Sequence, residues 1–496
     1  MTTAKRAVVI GAGFGGLALA IRLQAAGIQT TLLEKRDKPG GRAYVYEDQG
    51  FVFDAGPTVI TDPSALEELF ALSGSRLSDY VDLMPVTPFY RLCWEDGTRF
   101  DYANDQAELD RQIAALEPAD VEGYRRFLDY SRAVFEAGYL KLGAVPFLSF
   151  ERMLRAAPQL ARLQAWRSVH SLVSRYVKND KLRQAFSFHS LLVGGNPFAT
   201  SSIYALIHAL EREWGVWFPR GGTGALVRGL ARYFQDLGGR LELNAPVARL
   251  EGDAQRLHAA VCEDGRVFEA DAIASNADVM HTYRTLLGQH PRGRQQARRL
   301  AGKRFSMSLF VIHFGLRRLH PHLSHHTVCF GPRYRALIEE IFQGPTLPDD
   351  FSLYLHSPCV SDPTLAPPGC STHYVLAPVP HLGSAPIDWA LEGPRYRDRI
   401  LAYLEQHYLP GLRADLMTCR IFTPQDFEHE LNAHLGSAFS LEPILTQSAW
   451  FRPHNRDDRL QNLYIVGAGT HPGAGVPGVV GSAKATAGLM LEDLGR

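Results

Sequence analysis

Near the start of the chain, Gly11-Ala-Gly-Phe-Gly-Gly16 sits between a short apolar run, Arg6-Ala-Val-Val-Ile10, and Leu17-Ala-Leu-Ala-Ile-Arg-Leu-Gln-Ala-Ala26. The β-branched run reads as a buried strand and the longer segment as a helix, so the glycines occupy the turn between them. A strand, glycine turn and helix in that order point to a parallel α/β sheet. Gly11 permits the tight turn, Gly13 lets the backbone approach a pyrophosphate, and Gly16 lets helix and strand pack closely. Phe14 and Gly15 complete the turn, and the helix start offers free N–H groups and a favourable dipole to an anion. Gly27 stops the helix. Ile28 to Leu33 reads as a second strand, ending at Glu34, whose carboxylate is placed to accept hydrogen bonds from ribose hydroxyls. In a chain with 44 glycines the triplet alone is weak, and a structural turn without ligand competes with it. The order of strand, helix and acidic terminus favours a dinucleotide. The motif does not separate NAD from FAD, because both present the same pyrophosphate.

Further glycines point toward FAD. Lys35 follows Glu34, and Lys38-Pro-Gly-Gly-Arg42 offers Gly40 and Gly41 for a second backbone approach to phosphate with the Arg42 cation beside them. Asp54-Ala-Gly-Pro-Thr58 follows a strand-like Gly50-Phe-Val-Phe53 and reads equally as a loop near a flavin ring, through Gly56, Pro57 and Thr58, or as an ordinary turn. At the other end, Asn462-Leu-Tyr-Ile-Val466 reads as a strand and Ser482 to Met490 as a helix of small residues. Between them, Gly467-Ala-Gly-Thr-His-Pro-Gly-Ala-Gly475 and Val476-Pro-Gly478 make a loop of exposed N–H groups before a helix start. Gly467, Ala468, Gly469, Gly475, Val476 and Pro477 there suit the ribityl oxygens, phosphate and anionic edge of a flavin.

With these motifs the chain resembles the flavoprotein superfamily of amine oxidases and carotenoid desaturases. The C-terminal loop looks like that of bacterial-type phytoene desaturases, and the likeness runs through Phe51 to Thr58, Tyr139-Leu-Lys-Leu-Gly143, Trp214 to Gly222, Ser275-Asn-Ala-Asp278 and His326 to Arg333. The resemblance implies an α/β fold: a Rossmann-like FAD-binding domain of the glutathione-reductase/amine-oxidase type from residues 1–85, 218–290 and 450–496. An inserted α+β substrate domain from 86–217 and 291–449, with a helical membrane-associating region, would complete it. The resemblance also puts the Val247 backbone against the adenine. It implies an FAD-dependent oxidoreductase of CH–CH groups that takes 15-cis-phytoene and partly desaturated carotenes to lycopene, with oxygen or a quinone as electron acceptor. A flavin amine oxidase and a non-redox prenyl-lipid escort protein of the same fold are the alternatives.

The substrate side is less legible. Phe186, Phe188, Leu191, Leu192, Val193, Phe198, Ile203, Tyr204, Leu206 and Ile207 crowd one stretch, and most such clusters are core, with a minority lining a tunnel. From Phe147 to Trp166, helical spacing sets Arg152, Arg155, Gln159 and Arg162 on one face and Phe150, Met153, Leu154, Ala157, Leu160 and Ala161 on the other, with Pro158 as a kink. A membrane-surface helix and a solvated surface helix fit that pattern equally, and a lipid substrate favours peripheral attachment at the cytoplasmic face of the cell membrane. Arg155 is the catalytic candidate at the channel mouth. The 52 basic and 52 acidic side chains give no case for nucleic acid. Neither a signal peptide nor a transmembrane helix is expected, since Gly194-Gly-Asn-Pro197 and Thr200-Ser-Ser202 break the longest uncharged stretch. Six scattered cysteines fit a reducing compartment. His320, His322, His325 and His326 crowd one loop, but no cysteine or carboxylate set completes them and no metal is expected.

Overall fold

The computed structural model describes residues 5–495. Arg6–Ile10 pairs in parallel with Gln29–Leu33 on one side and Ala272–Ser275 on the other. Leu463–Ile465 and Arg240–Glu242 extend the sheet at its two edges, giving five parallel strands drawn from widely separated parts of the chain. Both faces are covered at the centre of the sheet, which is why Arg6–Ile10, Ala272–Ser275 and Leu463–Ile465 are short, mostly apolar runs rather than alternating ones, whereas the edge strand Arg240–Glu242 is partly exposed. Helices Phe14–Ala25, Thr223–Asp236 and Val476–Leu494 pack together on one face. On the other, Val8, Ile10 and Leu33 meet Leu250, Leu257 and Ala260 of a three-stranded antiparallel sheet formed by Val247–Gly252, Leu257–Cys262 and Val267–Glu269. The first helix is buried from Phe14 to Leu23, as expected for a segment apolar all round.

A seven-stranded sheet is built from strands between Tyr90 and Tyr102 and between Ser308 and Phe422. Its strands alternate in facing. Leu309, Val311, Val328 and Phe330 belong to one apolar cluster, whereas Phe310, Ile312 and Phe314 pack behind the sheet against Trp389, Tyr396 and Ile400 of helix Trp389–His407. That is the two-residue period of a sheet covered on both sides.

The C-terminal helix starts at Val476, six residues before the expected Ser482. Pro477 is no obstacle in a first turn, where its missing N–H has no intrahelical partner. Gly478 and Gly481 are therefore helical, and a Cβ on Gly478 would lie 2.8 Å from the Gly473 carbonyl. The uncharged stretch 184–210 forms short helical turns, and among the described residues no helix is long and apolar enough to cross a membrane.

Candidate active site

The Gly11 turn lies at the carboxyl end of the central strand, beside Asn276 at the end of the neighbouring one, and Asn276 Nδ2 donates to the Gly11 carbonyl at 3.2 Å. Strand order reverses between these two strands, which is where open parallel sheets bind ligands. Gly11 has φ +92°, open to glycine at little cost. A Cβ on Gly16 would sit 1.9 Å from the Gly11 carbonyl oxygen, so the helix can approach the strand this closely only without one. Gly13 caps the helix with no side-chain hydrogen bond and no acidic residue follows in the first turn, leaving the orphan N–H groups free for an anion.

Glu34 is buried, and its two oxygens accept from the amides of Ala12 at 2.8 Å and Arg36 at 3.0 Å. Burial raises its pKa, and those amides oppose the rise. Gly40 donates its N–H to the Ala12 carbonyl at 2.9 Å and Gly41 lies against Gly13, so the Lys38–Arg42 segment closes over the first loop. Arg42 Nε donates to the Ala438 carbonyl at 2.6 Å, while its buried Nη2 has no partner. On the far side, Gly475 caps the C-terminal helix, again with no side-chain cap and no acid in the first turn. Two uncapped helix starts, an arginine with a free donor and a buried carboxylate thus face one cavity. They fit the phosphates and ribose of a dinucleotide.

The cavity has a volume of about 770 Å³ and continues past these loops between the two sheets. Its further walls are mostly apolar, and include Leu309, Val311, Val328, Phe330 and Leu376 from the seven-stranded sheet together with Met153 and Leu160. Of the ten apolar residues between Phe186 and Ile207 expected to be mainly core, eight line the cavity, all but Phe186 and Phe198. Phe186 and Phe188 belong to the main core cluster and Leu191, Leu192, Phe198 and Tyr204 pack against it, so the stretch serves as core on one side and cavity wall on the other.

The structure brings Gly11, Gly13, Phe14, Gly15, Glu34, Lys35, Gly40, Gly41, Arg42, Gly56, Pro57, Thr58, Val247, Ala468, Gly475, Val476 and Pro477 onto the cavity wall. Gly16, Gly467 and Gly469 lie behind it as packing positions; a Cβ on Gly467 would meet Asn276 Oδ1 at 2.4 Å, and one on Gly469 the Val279 side chain at 2.9 Å. Lys35 Nζ is taken up by the His429 carbonyl and Asn432 Oδ1 at 3.1 Å each, and burial lowers its pKa. Arg155 is not brought to the cavity. It is exposed and paired with Glu151 at 2.5 Å on helix Phe150–Arg162, because the inward stripe of that helix is apolar. The side chain of Arg152 lies outside the described residues.

Several partners escaped the sequence reading. Asp54 caps helix Thr223–Asp236 through the amides of Thr223 and Gly224 at 3.0 and 3.2 Å. Thr58 Oγ1 bonds the hydroxyls of Tyr354 and Tyr374 at 3.0 and 2.7 Å. His325 and His326 meet His356 from the adjacent strand, ring nitrogens within 4.8 Å of one another, rather than completing a group with His320 and His322. His325 bonds Ser361 and His356, and His326 bonds Tyr354; burial keeps all three imidazoles neutral by lowering their pKa values. Asn276 and Asp278 carried a signal, being polar residues directly after a buried strand at the switch point.

A family model described as flavin containing amine oxidoreductase matches residues 14–491. The chain belongs to that family. Similar proteins include a lycopene-forming phytoene desaturase from Pantoea ananas, 71% identical over 99% of this chain and 100% of its own length. Another, from a Paracoccus strain, is 66% identical over 99% and 98%. Among solved structures, cyclohexylamine oxidase from Brevibacterium oxydans shares the fold with a TM-score of 0.65 at 17% identity, covering 99% of this chain and 100% of that one. As a flavin amine oxidoreductase family member the protein takes FAD, and the residues that fit its pyrophosphate and ribose are those facing the cavity at Gly11–Gly15, Glu34 and Gly40–Arg42.

Proposed function

We propose that the chain is an FAD-dependent phytoene desaturase that converts 15-cis-phytoene to lycopene by successive dehydrogenations. The observation that carries this reading is the single cavity that joins the dinucleotide loops to a long apolar end, in a chain 66–71% identical over its whole length to lycopene-forming phytoene desaturases. A hydrocarbon offers no polar handle, so the chain must hold it by shape and by excluding water. The walls from Leu309, Val311, Val328 and Phe330 do both. A bound flavin supplies the hydride acceptor. Gly56, Pro57 and Thr58 line the cavity, with Thr58 fixed by the tyrosine hydroxyls, and Arg42 and the two helix starts would hold the cofactor's anionic groups away from the hydrocarbon.

The substrate lives in lipid, and we place the enzyme peripherally on the cytoplasmic face of a membrane. Helix Phe150–Arg162 supports this: Met153 and Leu160 face the cavity, yet Phe150 and Leu154 are 48% and 56% exposed, and Leu140 and Trp166, on either side of the helix in sequence, are exposed as well. An exposed apolar cluster beside the cavity wall suits insertion at a lipid interface, with Arg155 and Arg162 toward the headgroups. We assign the seven-stranded sheet and the 150–162 helix to the substrate side, within the segments 86–217 and 291–449. Oxygen or a membrane quinone takes the electrons. Expression in phytoene-accumulating cells tests the assignment: lycopene is the expected product, and unchanged phytoene with a flavin-loaded protein contradicts it.

A further inference from the structure

Dehydrogenation of a hydrocarbon needs a group to receive a proton, and among the described residues the apolar end of the cavity holds one carboxylate, Glu211. The other acidic residues on the wall, Glu34, Glu263, Asp278 and Glu430, belong to the dinucleotide end. Glu211 lies on helix Leu206–Trp214, one turn after Ile207 and next to Leu210, so it interrupts an apolar stripe that faces the cavity. It is fully buried. Oε1 accepts a hydrogen bond from the Tyr90 hydroxyl at 2.7 Å, which fixes the carboxylate. Among the described residues Oε2 has no donor: His189 Nε2 is 3.1 Å away but off the line of a hydrogen bond, and neither His189 ring nitrogen has a hydrogen-bond partner. A buried carboxylate oxygen without a donor is costly, and a cost of that kind at a cavity wall marks a functional group.

We propose that Glu211 is the catalytic base of the desaturation, taking the proton from the carbon next to the one that loses hydride. This rests on the desaturase reading. In the step, one allylic C–H bond breaks and its hydrogen leaves with the electron pair, as hydride, to the flavin. The neighbouring C–H bond breaks the other way: the proton passes to Glu211 Oε2 and the electron pair becomes the new π bond. The hydrocarbon loses two electrons and two protons, and the oxygen or quinone that reoxidises the flavin takes up both. Before the proton leaves, the anionic carboxylate also faces the positive charge developing on the chain.

The surroundings hold Glu211 ready for this. Burial raises its pKa to about 7, with the hydrogen bond from the Tyr90 hydroxyl opposing the rise, close to the value at which a general base works best near neutrality. The groups facing it are Tyr90 and Tyr102 from one strand pair, His189 from the 188–193 turn, and His208 one turn back on its own helix. Burial lowers the pKa of His189 and of His208 to about 3, so both stay neutral, and Arg212 is turned away to Gln106 and the Ala103 carbonyl.

The test follows the first new double bond by absorbance in a single turnover, using holoenzyme and phytoene in liposomes between pH 5.5 and 9. Wild type should gain rate with pH and level off above about pH 7. Glu211→Gln, which keeps the shape and an acceptor for Tyr90, should bind FAD as wild type does and lose at least about 100-fold in rate, with no pH dependence. Wild-type rate and profile in Glu211→Gln overturns the proposal. Should that variant not hold FAD, Tyr90→Phe decides: loss of the bond to the charged form moves the midpoint of the profile upward, and an unmoved midpoint overturns the proposal. A wild-type holoenzyme that makes no product contradicts the desaturase reading instead.

Discussion

At one end of the cavity the walls are made of backbone, and at the other of side chains. The dinucleotide end depends on positions where no Cβ fits, such as Gly16 beside the Gly11 carbonyl, and on amides and uncapped helix starts. The apolar end depends on Leu309, Val328, Phe330, Leu191 and Ile207, which arrive from separate segments and meet only through tertiary packing. A backbone-built site recognises what all its ligands share and tolerates almost no substitution. A side-chain-built site sets shape, and its residues exchange more readily because apolar volume is what they supply.

Five variants sharpen that contrast. Gly16→Ala should abolish the flavin-loaded fold, at about 3 kcal/mol or more, because its Cβ would lie 1.9 Å from a backbone oxygen that cannot move aside. Gly488→Ala, whose Cβ meets nothing within 4 Å, is the control and should be neutral or stabilising in a urea titration. Glu211→Gln should make the protein more stable on the order of 3 kcal/mol above pH 7, since its carboxyl rises from 4.5 to about 7 on folding. The native state holds the extra proton between those values, so stability of the wild type falls as pH rises through that window. The gain should vanish below about pH 4.5; thermal melts at pH 4 and pH 8 read it directly.

Glu34→Ala strips two amides of their acceptor, and FAD affinity measured by flavin fluorescence should fall about 10- to 100-fold, from about 1–3 kcal/mol. The smallest effect is expected outside the cavity. Phe150→Glu with Leu154→Glu should lower liposome binding about tenfold and leave the melting temperature unchanged, because both side chains are already exposed. A fall in melting temperature without loss of liposome binding would mean that the helix is simply part of the fold.

The same contrast explains what could be read from the sequence. The first strand is Arg6–Ile10, as its apolar run predicts, and Glu34 follows the second strand as the motif spacing requires, because local backbone geometry demands particular residues at fixed offsets. The C-terminal glycines read as a loop before a helix, and part of that loop lines the cavity, but the helix start at Val476 was not legible, since Gly478 and Gly481 signal a loop until their close contacts are known. Arg155 looked catalytic from charge in an apolar context, yet which face of its helix turns inward is decided by packing. Glu211 and the Thr58 hydroxyl contacts to Tyr354 and Tyr374 left no local signal, because their partners lie more than a hundred residues away.

The central claim is that flavin and hydrocarbon share one continuous cavity. Anaerobic mixing of holoenzyme with phytoene-loaded liposomes tests it most directly. The flavin absorbance should bleach as the polyene band appears, in equal molar amounts, and a small cationic amine should leave the flavin oxidised. Bleaching by the amine with no response to phytoene would contradict the account.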